Sequence, residues 1–108
     1  MAGDIYEQHL REVVNRTWNF AGRLVTPQDH EQNALTGLAT EAAEVLDTAK
    51  KRWWHNPKPD GRRDELRDEL GDLEFYRVKA YEIFGFTPEE VLAVNKTKLM
   101  ARHRDKFR

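Results

Sequence analysis

The sequence predicts an all-α protein: a four-helix, bundle-like domain with a long second helix, completed by association of subunits. Three observations carry this expectation. Apolar residues recur at intervals of three and four along most of the chain, and no strand-like alternation competes with them. Two helix starts of the form Thr-Pro-x-acid stand at Thr26-Pro27-Gln28-Asp29 and Thr87-Pro88-Glu89-Glu90. A single segment with strong breaker chemistry, His55-Asn56-Pro57-Lys58-Pro59-Asp60-Gly61, supplies the natural hairpin connection. At 108 residues the chain fits one domain, residues 1–108.

The first helix is expected from Asp4 to Ala21, with Tyr6, Leu10, Val13, Val14 and Trp18 along one stripe and Gly22 as its stop. The second opens at Thr26 and runs to Trp54, carrying Leu35, Leu38, Ala42, Val45, Leu46, Ala49 and Trp53 on one broad face. Gly37 is its weak point, since glycine costs about 1 kcal/mol relative to alanine on an exposed helix face. It falls on the same side as Glu41, Glu44 and Thr48, where it could simply be tolerated or could leave room for close approach. Trp54 points away from the apolar stripe that Trp53 continues. It can stack on a nucleobase, or pack on another helix or subunit.

A third helix is expected from Arg62 or Arg63 to Phe84, with Leu66, Leu70, Leu73, Ala80 and Phe84 inward. Beside that stripe stand Glu65, Glu69, Asp72 and Tyr76. The Tyr76 hydroxyl could orient a ligand, or its ring could fill the space between helices. The fourth helix, starting at Thr87, carries Val91, Leu92, Val94, Leu99 and Met100. Asn95, Lys98 and Arg102 recur at three and four along it and could present donors to phosphate oxygens.

The chemistry centres on a repeated pattern. Leu38-Ala39-Thr40-Glu41-Ala42-Ala43-Glu44-Val45 is echoed by Leu66-Arg67-Asp68-Glu69-Leu70-Gly71-Asp72-Leu73. Residues three apart share a helix face, so each segment stacks two carboxylates beside a core-facing leucine. If the two stripes pack together, Glu41, Glu44, Glu69 and Asp72 converge. Clustered like charges are costly and are relieved by protonation or by a cation. All-oxygen ligands suit Mg²⁺, with Mn²⁺ an alternative.

Composition removes other chemistries. There is no cysteine, so thiol catalysis, disulfides and cysteine-based zinc sites are absent. No serine occurs either, which excludes a serine nucleophile, and no GxxxxGK loop is present. A net charge of −1 argues against a general nucleic-acid binder. The start of the chain lacks the runs of a signal peptide, and no apolar span long enough for a membrane helix occurs. A cytoplasmic protein without membrane or nucleic-acid partners is therefore expected.

These residues resemble the all-α nucleoside triphosphate pyrophosphohydrolases, specifically the MazG-like branch. The likeness rests on Glu41-Ala-Ala-Glu44-Val-Leu, Asp68-Glu69-Leu-Gly-Asp72-Leu and Asn95-Lys-Thr-Lys98-Leu. It implies metal-dependent hydrolysis of nucleoside triphosphates at the α–β anhydride, giving monophosphate and pyrophosphate. It also implies that Glu41, Glu44, Glu69 and Asp72 hold Mg²⁺, that Lys98, with Asn95, contacts phosphates, and that a homodimer or homotetramer completes the site. The family often has a glutamate just before the first metal glutamate, where this chain has Thr40. The proton would then pass to Glu44, to bulk water or to Glu65. Three alternatives stay open: a dUTP- or dCTP-specific enzyme, a phosphoribosyl-ATP pyrophosphohydrolase, and a non-catalytic helical oligomerisation module.

Overall fold

The computed structural model describes residues 2–55 and 62–107, and among these the secondary structure is entirely helical. Four α-helices follow in order: α1 Ala2–Thr17, α2 Pro27–Trp54, α3 Arg63–Phe84 and α4 Pro88–Arg102. A short 3₁₀ turn, Arg104–Lys106, follows α4. Of the connection expected over His55 to Gly61, residues 56–61 lie outside the described residues.

Helix α1 stops four residues short of the expected Ala21. Asn19 takes a left-handed backbone at φ 57°, which ends the helical run. Its side chain then clamps the following loop: the amide donates to Leu24 O and accepts from Leu24 N, both at 2.9 Å. Gly22, at φ 67°, closes the turn with its N–H on Asn19 O.

The expected start of α2 is present in full. The Thr26 hydroxyl accepts from Asp29 N at 3.1 Å, while the Asp29 carboxylate accepts from the N–H groups of Thr26 and Val25. From there α2 runs as one helix of 28 residues, about 42 Å long. Helix α3 ends at Gly85, whose φ of 73° lets its N–H reach Glu82 O while Phe86 N donates to Tyr81 O. The Thr87 hydroxyl then accepts from Glu90 N and starts α4, with Phe86 stacked on Phe84.

The main packing is α2 against α3, with α1 laid on α3. Gly37 meets Tyr76, and Glu41 meets Glu69 and Asp72, so α2 and α3 run antiparallel. Between them and α1 lies a small core in which Val14, Ala34 and Val78 are fully enclosed and Ala80 nearly so. Polar ties fix α1 to α3: Arg77 pairs with Glu7, and Asn15 bridges Lys79 and Glu82.

The apolar stripes are only partly covered. Tyr6, Val13, Leu46 and Leu70, expected inward, remain exposed, and Trp53 is 58% accessible. Helix α4 packs along neither α2 nor α3, contains no buried residue, and leaves Leu92, Val94, Leu99 and Met100 open to solvent. In place of Leu70, the enclosed residues of α3 are Val78 and Ala80.

Candidate metal centre on the α2–α3 hairpin

Antiparallel packing brings the two acidic segments together in opposite order. Carboxylate oxygens of Glu41, Glu69 and Asp72 lie within 4.8 Å of one another. Glu41 and Glu69 are half-buried and Asp72 is exposed. Glu44 is exposed one turn after Glu41, near enough for its charge to act on both glutamates. One turn further along α2, Thr48 is buried at 6% accessibility.

The electrostatics follow from this crowding. Glu41 is pushed above its ordinary 4.5, first by burial and then by the charges of Glu44 and Asp72. Glu69 is raised likewise, by burial first and again by Glu44 and Asp72. Oε2 of each glutamate is enclosed and has no hydrogen-bond partner among the described residues. Two enclosed anionic oxygens without donors are an unfinished arrangement, because burial of a charge needs a compensating partner. A hard divalent cation, coordinated at about 2.0–2.6 Å by oxygens, fits the donor chemistry and the span of the cluster.

Thr40 and Glu65, the neighbouring side chains expected near an attacking water, are otherwise engaged. Thr40 is exposed and turns its hydroxyl to Thr36 O at 2.9 Å. Glu65 receives both of its carboxylate oxygens' bonds from Arg62, at 3.0 and 3.2 Å. Tyr76 stands one turn beyond Asp72 with its ring between the helices. It lies against Gly37 and makes edge contacts with Trp18 and Phe75 at centroid distances of 6.2 and 5.1 Å.

The expected phosphate donors are elsewhere. Asn95 and Lys98 line a groove on α4 with Phe86 and Val91, and Arg102 follows at the end of that helix. Within one chain α4 does not lie on the carboxylate hairpin. Trp54 is 71% accessible and meets only Trp53 edge-on among the described ring contacts, at 5.4 Å between centroids.

Sequence reasoning singled out Gly37 and Tyr76 separately but not their contact. Their signal was positional: each lies four residues outside an acidic pair, Gly37 before Glu41 and Tyr76 after Asp72. Nor did periodicity point to His30, whose Nδ1 accepts the Trp18 indole N–H at 2.9 Å.

An all-α hairpin that gathers carboxylates from two facing helices, in a chain without a P-loop, defines a class of helical metal-binding domain. The sequence matches the MazG nucleotide pyrophosphohydrolase domain over residues 28–107, and the chain belongs to that family. The matched stretch takes in α2, α3 and α4 and thus every residue of the acidic cluster. No curated protein and no solved structure matches the chain. Among the described residues, no helix is long and apolar enough to cross a membrane.

Proposed function

We propose that this protein hydrolyses nucleoside triphosphates, deoxynucleotides included, at the α–β anhydride, with Glu41, Glu44, Glu69 and Asp72 holding Mg²⁺ or, alternatively, Mn²⁺. The observation that carries the reading is the pair of enclosed oxygens on Glu41 and Glu69, without a hydrogen-bond partner among the described residues, beside Asp72. Family membership supplies the reaction class, and the substrate and the bond cleaved are our inference. When bound, the cation polarises phosphoryl oxygens and makes a water easier to deprotonate.

The residues divide the remaining work. Glu41, Glu69 and Asp72, with Glu44 beside them, would hold the cation. Glu44 is the carboxylate best placed to take the proton of the attacking water, because Thr40 is bonded to its own helix and Glu65 to Arg62. Water oxygen bonds to the α-phosphorus, the bond to the bridging oxygen breaks, and that oxygen leaves with pyrophosphate. Lys98, Asn95 and Arg102 receive the negative charge of the phosphates. Trp54, exposed at the end of α2, stacks on the base.

For α4 to serve the site, a second copy is needed. The open apolar residues of α4 and the half-covered stripes of α1 to α3 support a homodimer or homotetramer in which α4 approaches a neighbour's hairpin.

Product identity tests the reaction. Purified protein, Mg²⁺ and a panel of canonical and modified triphosphates should yield monophosphate and pyrophosphate in equal amounts on anion-exchange chromatography. Diphosphate with orthophosphate would place cleavage at the β–γ bond and end this reading.

A further inference from the structure

We propose that the contact between Gly37 and Tyr76 is a spacer that sets the gap between α2 and α3 at the carboxylate cluster, and so makes the site selective for a small cation. The inference rests on the metal reading above.

Glycine weakens a helix interior, and Gly37 lies well inside α2. The reason for it is steric. A Cβ at Gly37 would stand 2.2 Å from Cε1, 2.3 Å from Cδ1 and 2.6 Å from Cζ of Tyr76. Those are body atoms of the ring, so a small rotation of the side chain does not clear them. Nor is the ring free to withdraw, since Trp18 and Phe75 meet it edge-on. Trp18 is itself held by its bond to His30, and the Lys79 ammonium lies 5.3 Å from its ring centroid. An added methyl must therefore push the helices apart.

The place of that push matters. Gly37 precedes Glu41 by one turn and Tyr76 follows Asp72 by one turn, so the spacer lies about 6 Å along the helices from the donors. A change in helix separation there is carried directly to the distance between Glu41 and its partners on α3. Mg²⁺ demands near-ideal geometry at about 2.0–2.1 Å, whereas Ca²⁺ accepts longer bonds and irregular shells. Widening the hairpin therefore penalises the smaller ion. Gly71 gives the internal comparison. It lies between Leu70 and Asp72 on α3, yet a Cβ there meets nothing within 4 Å.

Calorimetric titration with Mg²⁺ alone and Ca²⁺ alone tests the spacer, using the full chain and thermal unfolding as a check on folding. Gly37→Ala should weaken Mg²⁺ binding on the order of 10-fold, with a smaller loss for Ca²⁺, so the ratio of affinities shifts toward Ca²⁺. Gly71→Ala should keep the wild-type ratio. Tyr76→Phe should keep it too, because the ring and not the hydroxyl is the spacer. Should Gly37→Ala fail to fold, Tyr76→Leu decides: it removes the ring, lets the helices close, and should shift the ratio in the opposite direction, away from Ca²⁺. Wild-type binding with an unchanged ratio in Gly37→Ala, or in Tyr76→Leu where that variant decides, overturns the spacer and leaves the metal centre standing. A wild-type protein that binds neither ion overturns the metal centre, and the spacer with it.

Discussion

Glu41 and Glu69 meet across the α2–α3 hairpin, each with an enclosed Oε2 that no donor among the described residues reaches. In the metal-free protein this contact is repulsive, so neutralising either partner should relieve the fold. Glu41→Gln and Glu69→Gln should each raise Tm at pH 7 without metal. The same variants should weaken Mg²⁺ binding by at least about 10-fold, the loss that follows from disturbing even a supporting partner of a metal ligand. Thermal unfolding with and without Mg²⁺ reads both effects together. A fall in metal-free Tm, with no loss of the Mg²⁺-dependent gain, would count against the cluster.

Glu41 and Glu69 on one side, and Asp29 and Glu82 on the other, have opposite effects on stability. Glu41 and Glu69 titrate above their ordinary 4.5 in the folded state. Between the unfolded and folded values the native state binds more protons, so stability falls as pH rises through that window. Asp29 is held below its ordinary 3.8 by the backbone N–H groups of Thr26 and Val25. Glu82 is held below 4.5, with Asn15, Lys79 and Arg11 outweighing its burial. Their stabilisation is present above the unfolded values and is lost as pH falls through the folded ones. Metal-free Tm should therefore fall as pH drops below the ordinary 3.8 of Asp29 and 4.5 of Glu82, and also decline as pH rises above the ordinary 4.5 of Glu41 and Glu69. Saturating Mg²⁺ should abolish the upper decline and leave the acid limb unchanged.

How much was legible in the sequence depends on the range of the interaction. Local chemistry was readable: the Thr26 and Thr87 caps follow from residue type and spacing, and both form their bonds. The helical class and the meeting of Glu41 with Glu69 and Asp72 followed from periodicity and matched phase. Contacts between elements were harder. The end of α1 depends on the Asn19 side chain reaching Leu24, which no 3.6-residue period encodes. Trp53 belongs to the apolar stripe by phase yet stays exposed, because a single chain offers nothing to cover the far end of α2. Periodicity identifies a face but not its partner, and for α4 the hairpin of the same chain is not that partner.

Gly71 offers a stabilising substitution. It is exposed in the interior of α3, and an added Cβ meets no atom within 4 Å. Alanine there gains helix propensity, worth about 1 kcal/mol. Tm should rise by about 4–8 °C, the shift expected for that energy in a domain of this size. Differential scanning calorimetry measures it directly. A lower Tm would mean that α3 needs the glycine for an approach by another subunit.

His30 and Trp18 give a test of the α1–α2 junction. The Trp18 indole N–H donates to His30 Nδ1 in a partly buried position, with Tyr76 and Phe75 against the same ring. His30→Leu leaves that donor without its acceptor, at a cost of about 1–3 kcal/mol. Urea unfolding should show a lower midpoint with an unchanged slope, since one bond is lost and the exposed surface is not altered. An unchanged midpoint would show that water replaces the histidine.

The final prediction concerns which chain supplies the phosphate contacts. Lys98 stands on a helix that does not lie on its own hairpin, whereas the carboxylates of the proposed site are on α2 and α3. If α4 serves a neighbour, Lys98→Ala and Glu69→Gln disable different partners of one composite site. Each variant alone should be severely impaired. Lys98→Ala should raise KM while keeping wild-type Mg²⁺ affinity, and Glu69→Gln should lose the metal. Unfolded together and refolded as a mixture, half of the resulting dimers should be mixed, and each mixed dimer should contain one intact site of two. About a quarter of wild-type activity should then return. Mass spectrometry of the native complex confirms that mixed dimers are present. Mixed dimers without recovered activity would place Lys98 and Glu69 in the same chain's site, or remove Lys98 from it. Recovery shows that the open face of α4 is the active surface of the neighbouring subunit.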